Sequence, residues 1–539
     1  MSATLPASAT RAARAAGAVH PGYRTLWRWH FYAGLFVMPF LIVLAITGTI
    51  YCFQPQIEPL LYPHRLVVAP VAMPRLPADA LLTRAREALP PGARLLRAHV
   101  EANPARSAEF VFALDGGAKE SVYVNPYSGE VLGTLDVESR FMQVDRMLHR
   151  KLLLGKTGEL LMELAACWTL VMIVTGVALW WPRQSGARGS AGGAAKGASG
   201  LAAGLATIRA ALWPRFGATG RPFWKSLHSA IGIWLAVGAL LFVVSGLPWT
   251  GSWGKQFKAL ATRVSLGAPR GAWGGGLPLQ STLPSGQNAA QNTAHAAPGN
   301  HADHAEHTEH TEHTEHAEHA GHDMASMPGM VMDDLPLPNV PWAVGAVPVP
   351  QSPEARTSPG SRWTLEQVIA QMRTLGVQSG YDIALPATAT GVYVVSYFPA
   401  DPKEERTVYI DQYSGKVLKD IRYGDYGAVS QAIAYGTSLH MGRYFGLANQ
   451  LICAAISLGL AALAVTGFVM WWLRRPARSS RTTGGLGAPS RERAAPPMRA
   501  WKAGLAVLGV IFPLMGATIV AVWLLDRLAF GRTNNLSSS

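Results

Sequence analysis

Long apolar runs separated by polar and basic stretches dominate the chain, and five of them, roughly 27–53, 158–181, 229–249, 447–473 and 504–525, stand out by length. A hydrocarbon core of about 30 Å takes about 20 helical residues, so each run predicts a spanning helix. The stretches between them differ in charge. The N-terminal 1–26, with Arg11, Arg14 and Arg24, the 182–228 linker, with Arg183, Arg188, Lys196, Arg209, Arg215, Arg221 and Lys225, and the 474–503 linker, with Arg474, Arg475, Arg478, Arg481, Arg491, Arg493, Arg499 and Lys502, are basic. Lys and Arg concentrate on the cytoplasmic side of spanning helices, which places those three stretches in the cytoplasm and 54–157 and 250–446 in the periplasm. An odd number of crossings then leaves the 526–539 tail periplasmic as well. Both linkers are rich in Gly, Ala, Ser and Arg without an apolar period, the pattern of flexible chain. Within 250–446, residues of about 270–360 are rich in Pro, Gly, His and Ala and predict disorder, whereas about 361–422 reads as folded.

The chain compared with itself shows a repeat. Val122-Tyr123-Val124-Asn125-Pro126-Tyr127-Ser128-Gly129-Glu130-Val131-Leu132 returns as Val408-Tyr409-Ile410-Asp411-Gln412-Tyr413-Ser414-Gly415-Lys416-Val417-Leu418, with seven of eleven positions identical. Each copy reads as strand, Tyr-Ser-Gly turn and strand, preceded by a helical pattern at 77–89 or 363–375. The apolar runs repeat too: Thr175-Gly176 before Trp180-Trp181 matches Thr466-Gly467 before Trp471-Trp472, and Thr47-Gly48 matches Ser245-Gly246. These hydroxyl-Gly pairs read as points of close helix packing.

Composition narrows the class. The charged fraction is 15%, well under the roughly 25% of soluble domains, and apolar residues make up 49%. The net charge of +14 lies mainly beside apolar runs, so it reports topology rather than nucleic-acid binding. The first run has no small-residue cleavage site and is expected to be retained. Cys52, Cys167 and Cys453 sit in separate apolar runs without ligand spacing, which predicts neither disulfide nor cysteine metal site. There is no Gly-rich nucleotide or flavin turn, no P-loop and no hydrolase nucleophile arrangement, so any electron donor is a separate molecule.

Counting back from the hydroxyl-Gly landmarks brings out four histidines. His30 lies 17 residues before Thr47 and His228 lies 17 before Ser245; His149 lies 26 before Thr175 and His440 lies 26 before Thr466. A histidine at a helix end is ordinarily an interfacial or capping residue. Matching register in both copies argues for more. Copies running in the same direction relate by an axis along the membrane normal, which would bring His30 towards His228 and His149 towards His440, and two opposed imidazoles can ligate haem iron.

The set Trp29-His30-Phe31-Tyr32-Ala33-Gly34, Leu148-His149-Arg150, Leu227-His228-Ser229-Ala230-Ile231-Gly232, Leu439-His440-Met441-Gly442-Arg443 and the two Tyr-Ser-Gly hairpins resembles the PepSY-associated transmembrane family, over most of 23–475. That family includes inner-membrane reductases of ferric siderophores in Gram-negative bacteria. The resemblance implies an α-helical integral membrane protein, here of five spans with four in a duplicated core, and two small α+β PepSY-like periplasmic domains. It also implies one or two b-type haems on His30, His228, His149 and His440, fed by a quinol or a cytoplasmic reductase and passing electrons to a periplasmic metal or metal chelate, most directly ferric iron. Copper is the rival substrate, on the strength of the His/Met segment at 301–332.

Two features depart from the family. One is the tract His301, His304, His307, His310, His313, His316, His319 and His322, running into Met324, Met327, Met330 and Met332. Imidazole suits Cu, Zn and Ni, and thioether favours Cu(I), so the tract reads as a loose transition-metal binder for Cu, Zn or Fe, or else as an expanded linker. The other is the fifth run, which lacks an ionisable residue at mid-depth and reads as an anchor or partner contact. Two non-catalytic classes stay open: a metal-handover protein using the tract, and an assembly or regulatory protein acting through its PepSY-like domains.

Overall fold

The computed structural model describes residues 22–191, 212–269, 335–345, 347–352, 361–388, 390–474 and 498–531. The chain divides into a helical unit, Met1–Phe53, Asp145–Phe257 and Leu439–Ser539, and a sheet unit, Gln54–Val144 and Lys258–Ser438.

In the helical unit four helices are long and apolar enough to cross a membrane: Tyr23–Cys52, Gly155–Trp181, Arg221–Trp249 and Leu447–Trp472. We call them the first to fourth spans. They form a ring in which the first and third each neighbour the second and fourth. The first therefore stands across the ring from the third. Ala33, Val37 and Leu41 of the first span pack with Cys167, Trp168 and Val171 of the second and Leu460 and Ala464 of the fourth, while their outer faces stay apolar and exposed as lipid requires.

The fifth apolar run differs from the single helix its hydropathy predicts. It forms two helices, Arg499–Ile511 and Pro513–Gly531, broken at Phe512. Pro513 has no N–H to continue the first helix and is suited to start the second. The halves fold back so closely that a Cβ on Gly516 would lie 2.6 Å from the Gly509 carbonyl oxygen. This hairpin docks on the ring: Trp168 Nε1 donates to Thr518 at 3.0 Å, Trp253 Nε1 donates to the Ile511 carbonyl at 2.7 Å, and Trp501 meets Trp29 edge-on.

The sheet unit holds eight antiparallel strands, β1 (Arg94–Val100), β2 (Ala108–Ala113), β3 (Lys119–Val124), β4 (Val131–Asp136), β5 (Tyr381–Ala384), β6 (Val392–Tyr397), β7 (Arg406–Asp411) and β8 (Val417–Arg422). Their order is β4-β3-β2-β1-β5-β6-β7-β8. In place of the two separate domains expected, β1 pairs with β5, Ala98 opposite Ile383 and His99 opposite Asp382, giving one continuous sheet. Apart, each half would expose a row of unpaired backbone groups on that strand; together they satisfy one another.

One face is covered by the helices Ala78–Glu87 and Leu365–Thr374, whose Leu81, Ala85, Val368 and Met372 pack on Phe110, Phe112, Val122, Ile383, Val395 and Val408. The Leu365–Thr374 helix starts with a capping box between Thr364 and Gln367. Both Tyr-Ser-Gly motifs are turns. Asn125 Oδ1 accepts the Tyr127 N–H and Asp411 Oδ1 accepts those of Tyr413 and Ser414, while Gly129 and Gly415 take φ of 75° and 68°, the left-handed region that glycine enters without cost.

Candidate cofactor site in the helical ring

Each of the four histidines is held in the same way by a hydroxyl-Gly pair on the neighbouring helix. His30 Nδ1 lies 2.9 Å from Thr175 Oγ1, His149 Nδ1 2.8 Å from Thr47 Oγ1, His228 Nδ1 2.9 Å from Thr466 Oγ1, and His440 Nδ1 2.8 Å from Ser245 Oγ. The hydroxyl hydrogens are already committed to carbonyls one turn back: Thr47 to Val43, Thr175 to Val171, Ser245 to Leu241 and Thr466 to Leu463. With its hydrogen on the carbonyl, each hydroxyl oxygen is open to accept from the imidazole. Such a seat favours the hydrogen on Nδ1, the tautomer metal-bound histidines have when a neighbour orients them.

The glycine of each pair makes the space. A Cβ on Gly48 would lie 3.2 Å from His149 Cε1, on Gly176 3.3 Å from His30 Cε1, and on Gly246 and Gly467 3.6 Å from Cε1 of His440 and His228. Close packing at these glycines is thus glycine against imidazole, not helix against helix alone. Antiparallel neighbours bring His30, near the start of the first span, level with Thr175, near the end of the second.

Between the halves, His30 and His228 meet across the ring with centroids 6.3 Å apart and planes at 84°. A metal bound by both at about 2 Å from each nitrogen, with each ring centre about 1 Å further back, needs a separation of about 6 Å. The separation of the two rings is the one that an ion or haem iron held on two sides would need. His149 and His440 end short helices, Phe141–Lys151 and Ala428–His440, ahead of the second and fourth spans. Burial lowers His149 to about 3, with the charges of His440 and Arg150 adding; burial lowers His440 to about 4 against a hydrogen bond at Phe242. The Phe242 ring packs 4.8 Å from His440.

Three features here were not visible in the sequence. Glu163 is buried inside the second span and accepts the N–H groups of Ser252 and Trp253 at 3.1 and 3.0 Å, capping the helix Trp253–Arg263. Asp145, four residues before His149 on one helical face, is buried with Oδ2 unpaired among the described residues, and burial pushes its carboxyl up to about 6. Cys52 and Cys453, expected to be unrelated, converge on the successive carbonyls of His440 and Leu439.

His301, His304, His307, His310, His313, His316, His319, His322, Met324, Met327 and Met330 lie outside the described residues, as do most of both basic linkers. Among the described residues no group of three or more His, Cys, Asp and Glu is placed to hold a metal ion. A centre in the ring would rest on paired histidines.

Four apolar spans around paired, hydroxyl-seated histidines define a multi-pass membrane protein. The chain belongs to the PepSY-associated TM region family, whose profile matches residues 27–474. No curated protein matches it.

Proposed function

We propose that the chain is a haem-bearing oxidoreductase of the inner membrane that passes electrons across the bilayer to a periplasmic metal, ferric iron or a ferric siderophore. The observation that carries this reading is the fourfold seat: each imidazole has its Nδ1 against a hydroxyl of the neighbouring helix, and His30 and His228 face one another with ring centroids 6.3 Å apart. His30 with His228 would hold one haem and His149 with His440 a second. When bound, b-type haem supplies one-electron transfer.

The chain's own part is to orient and insulate. Thr47, Thr175, Ser245 and Thr466 fix ring rotation and tautomer, Gly48, Gly176, Gly246 and Gly467 let the rings approach, and the apolar ring interior excludes water. Electrons would enter from a quinol or a cytoplasmic reductase. The basic 1–26, 182–228 and 474–503 stretches support a cytoplasmic placement of the ends of the spans that carry His30 and His228.

The test is spectroscopic. Membranes from an overexpressing strain should show dithionite-reduced b-type bands, diminished in His30→Ala and His228→Ala and shifted in Thr175→Val, which keeps shape but removes the acceptor. Bands unchanged by Ala at each of the four histidines would end the proposal. The His/Met tract favours a second reading, copper or zinc handover; it takes over if the chain carries no haem and deleting 301–332 abolishes metal binding.

A further inference from the structure

Two thiols from opposite ends of the sequence meet beside the turn that carries His440. Cys52, in the last turn of the first span, and Cys453, in the second turn of the fourth, are both buried and both directed at the same turn, Leu439–Gly442. Successive carbonyls receive them: Cys453 Sγ donates to Leu439 O at 3.1 Å, and Cys52 Sγ points at His440 O at 3.8 Å. Asn449 Nδ2 reaches Cys453 Sγ at 3.3 Å and Leu439 O at 3.0 Å. Gly442 leaves the room, since a Cβ there would sit 3.4 Å from Cys52 Sγ.

The corresponding seam on the other side of the ring shows what such a place does. Counted from Thr47 and Ser245, Cys52 corresponds to Thr250; counted from Thr466 and Thr175, Cys453 corresponds to Met162, next to Glu163. There the second span is tied to the chain leaving the third by the bonds from Ser252 and Trp253 to Glu163. The first and fourth spans have two thiols at the matching seam.

We propose that Cys52 and Cys453 are a disulfide site, a covalent latch between the first and fourth spans. Both S–H bonds break and one S–S bond forms, and a quinone in the bilayer accepts the two electrons and two protons to become a quinol. The latch clamps the end of the first span, which carries the Thr47 seat of His149, to the turn that presents His440. It goes beyond the haem reading and stands if that reading fails, because nothing in it requires an occupied ring.

The experiment uses the full chain in membranes, exposed to a short-chain ubiquinone analogue or to dithiothreitol, then denatured, alkylated with N-ethylmaleimide without reduction and digested for mass spectrometry. After quinone, most Cys52 and Cys453 should escape alkylation and their two peptides should appear joined with the loss of two hydrogens, while Cys167 is alkylated throughout. After dithiothreitol all three should be alkylated. In Cys52→Ser, Cys453 should return to full alkylation, and Cys167→Ser should keep the link. The proposal is overturned if Cys52 and Cys453 are alkylated as fully as Cys167 after quinone, or if Cys453 stays protected in Cys52→Ser.

Discussion

Tyr123 and Tyr409 occupy matching places in the two Tyr-Ser-Gly hairpins, on the sheet face turned away from the covering helices, yet they sit in opposite chemistries. Opposite Tyr123 stands Glu109, and opposite Glu109 stands His99; opposite Tyr409 stands Val394, and opposite Val394 stands Ala384. In the first half Glu109 accepts from Tyr123 at 3.2 Å, Ser121 at 2.9 Å and Arg140 at 3.0 Å, and Arg140 also pairs with Glu58 at 2.6 Å. Arg97 bridges Glu109 to Asp382, which His99 contacts at 3.1 Å. In the second half Val344 and Val347 cover Val394, Ala384 and Tyr409 as an apolar plug. One backbone thus accepts either solution for the same face, and the costs differ: an ionic cover fails when one partner is lost, an apolar cover degrades by volume.

The largest effect should come from orphaning a charge. Asp382→Ala leaves Arg97 buried without its main partner and should cost about 3–5 kcal/mol, read as lost hydrogen-exchange protection in β1 and β5. Acid should follow. Burial, the largest single influence, would raise Glu109 and Asp382. The lowering influences together outweigh it, Arg97, Arg140, His99 and the Ser121 hydrogen bond for Glu109 and Arg97 and His99 for Asp382, and both fall to about 2. Their stabilisation is in place above the ordinary carboxylate range and is lost as pH falls through about 2, each tenfold change in proton affinity being worth about 1.4 kcal/mol. His99 has the opposite sign: burial works to lower it, the hydrogen bond and charge of Asp382 overcome this, and its contribution is lost as pH rises through the raised value. Protection in β1 and β2 should therefore melt in acid before that in β6 and β7; simultaneous loss would break the comparison.

Smaller effects sharpen it. Tyr123→Phe removes a bond to a carboxylate and should cost about 1.5–3 kcal/mol in thermal unfolding of the sheet. Tyr409→Phe should change stability by under about 0.5 kcal/mol or raise it, because its buried hydroxyl has no partner among the described residues. Replacing Arg97, Glu109 and Asp382 together with apolar residues of similar volume should be close to neutral, unlike Asp382→Ala alone. A loss as large as that of the single variant would mean the ions do more than cover the face.

How much of this could be read in the string depended on distance along it. The spans and the hairpins are local, and hydropathy and a Tyr-Ser-Gly turn declare them. The register of His30, His149, His228 and His440 could be counted because helical spacing survives in sequence. Their seats could not: Thr175 comes level with His30 only through the antiparallel packing of two spans, so the hydroxyl-Gly pairs looked like packing alone. The β1–β5 pairing and the convergence of Cys52 and Cys453 on one turn join segments hundreds of residues apart and leave no local mark. Pro513 was a local sign, but an average over hydropathy passes over it; its missing N–H is what turns one expected crossing into two helices.

That break has a consequence for where the chain ends up. A hairpin that enters a bilayer returns to the face it came from, whether it dips partway or reaches the far side. Four crossings by the four long apolar helices followed by such a return would put Gly22 and Gly531 on one and the same side, and a protease added to sealed vesicles should then reach tags at both ends or at neither.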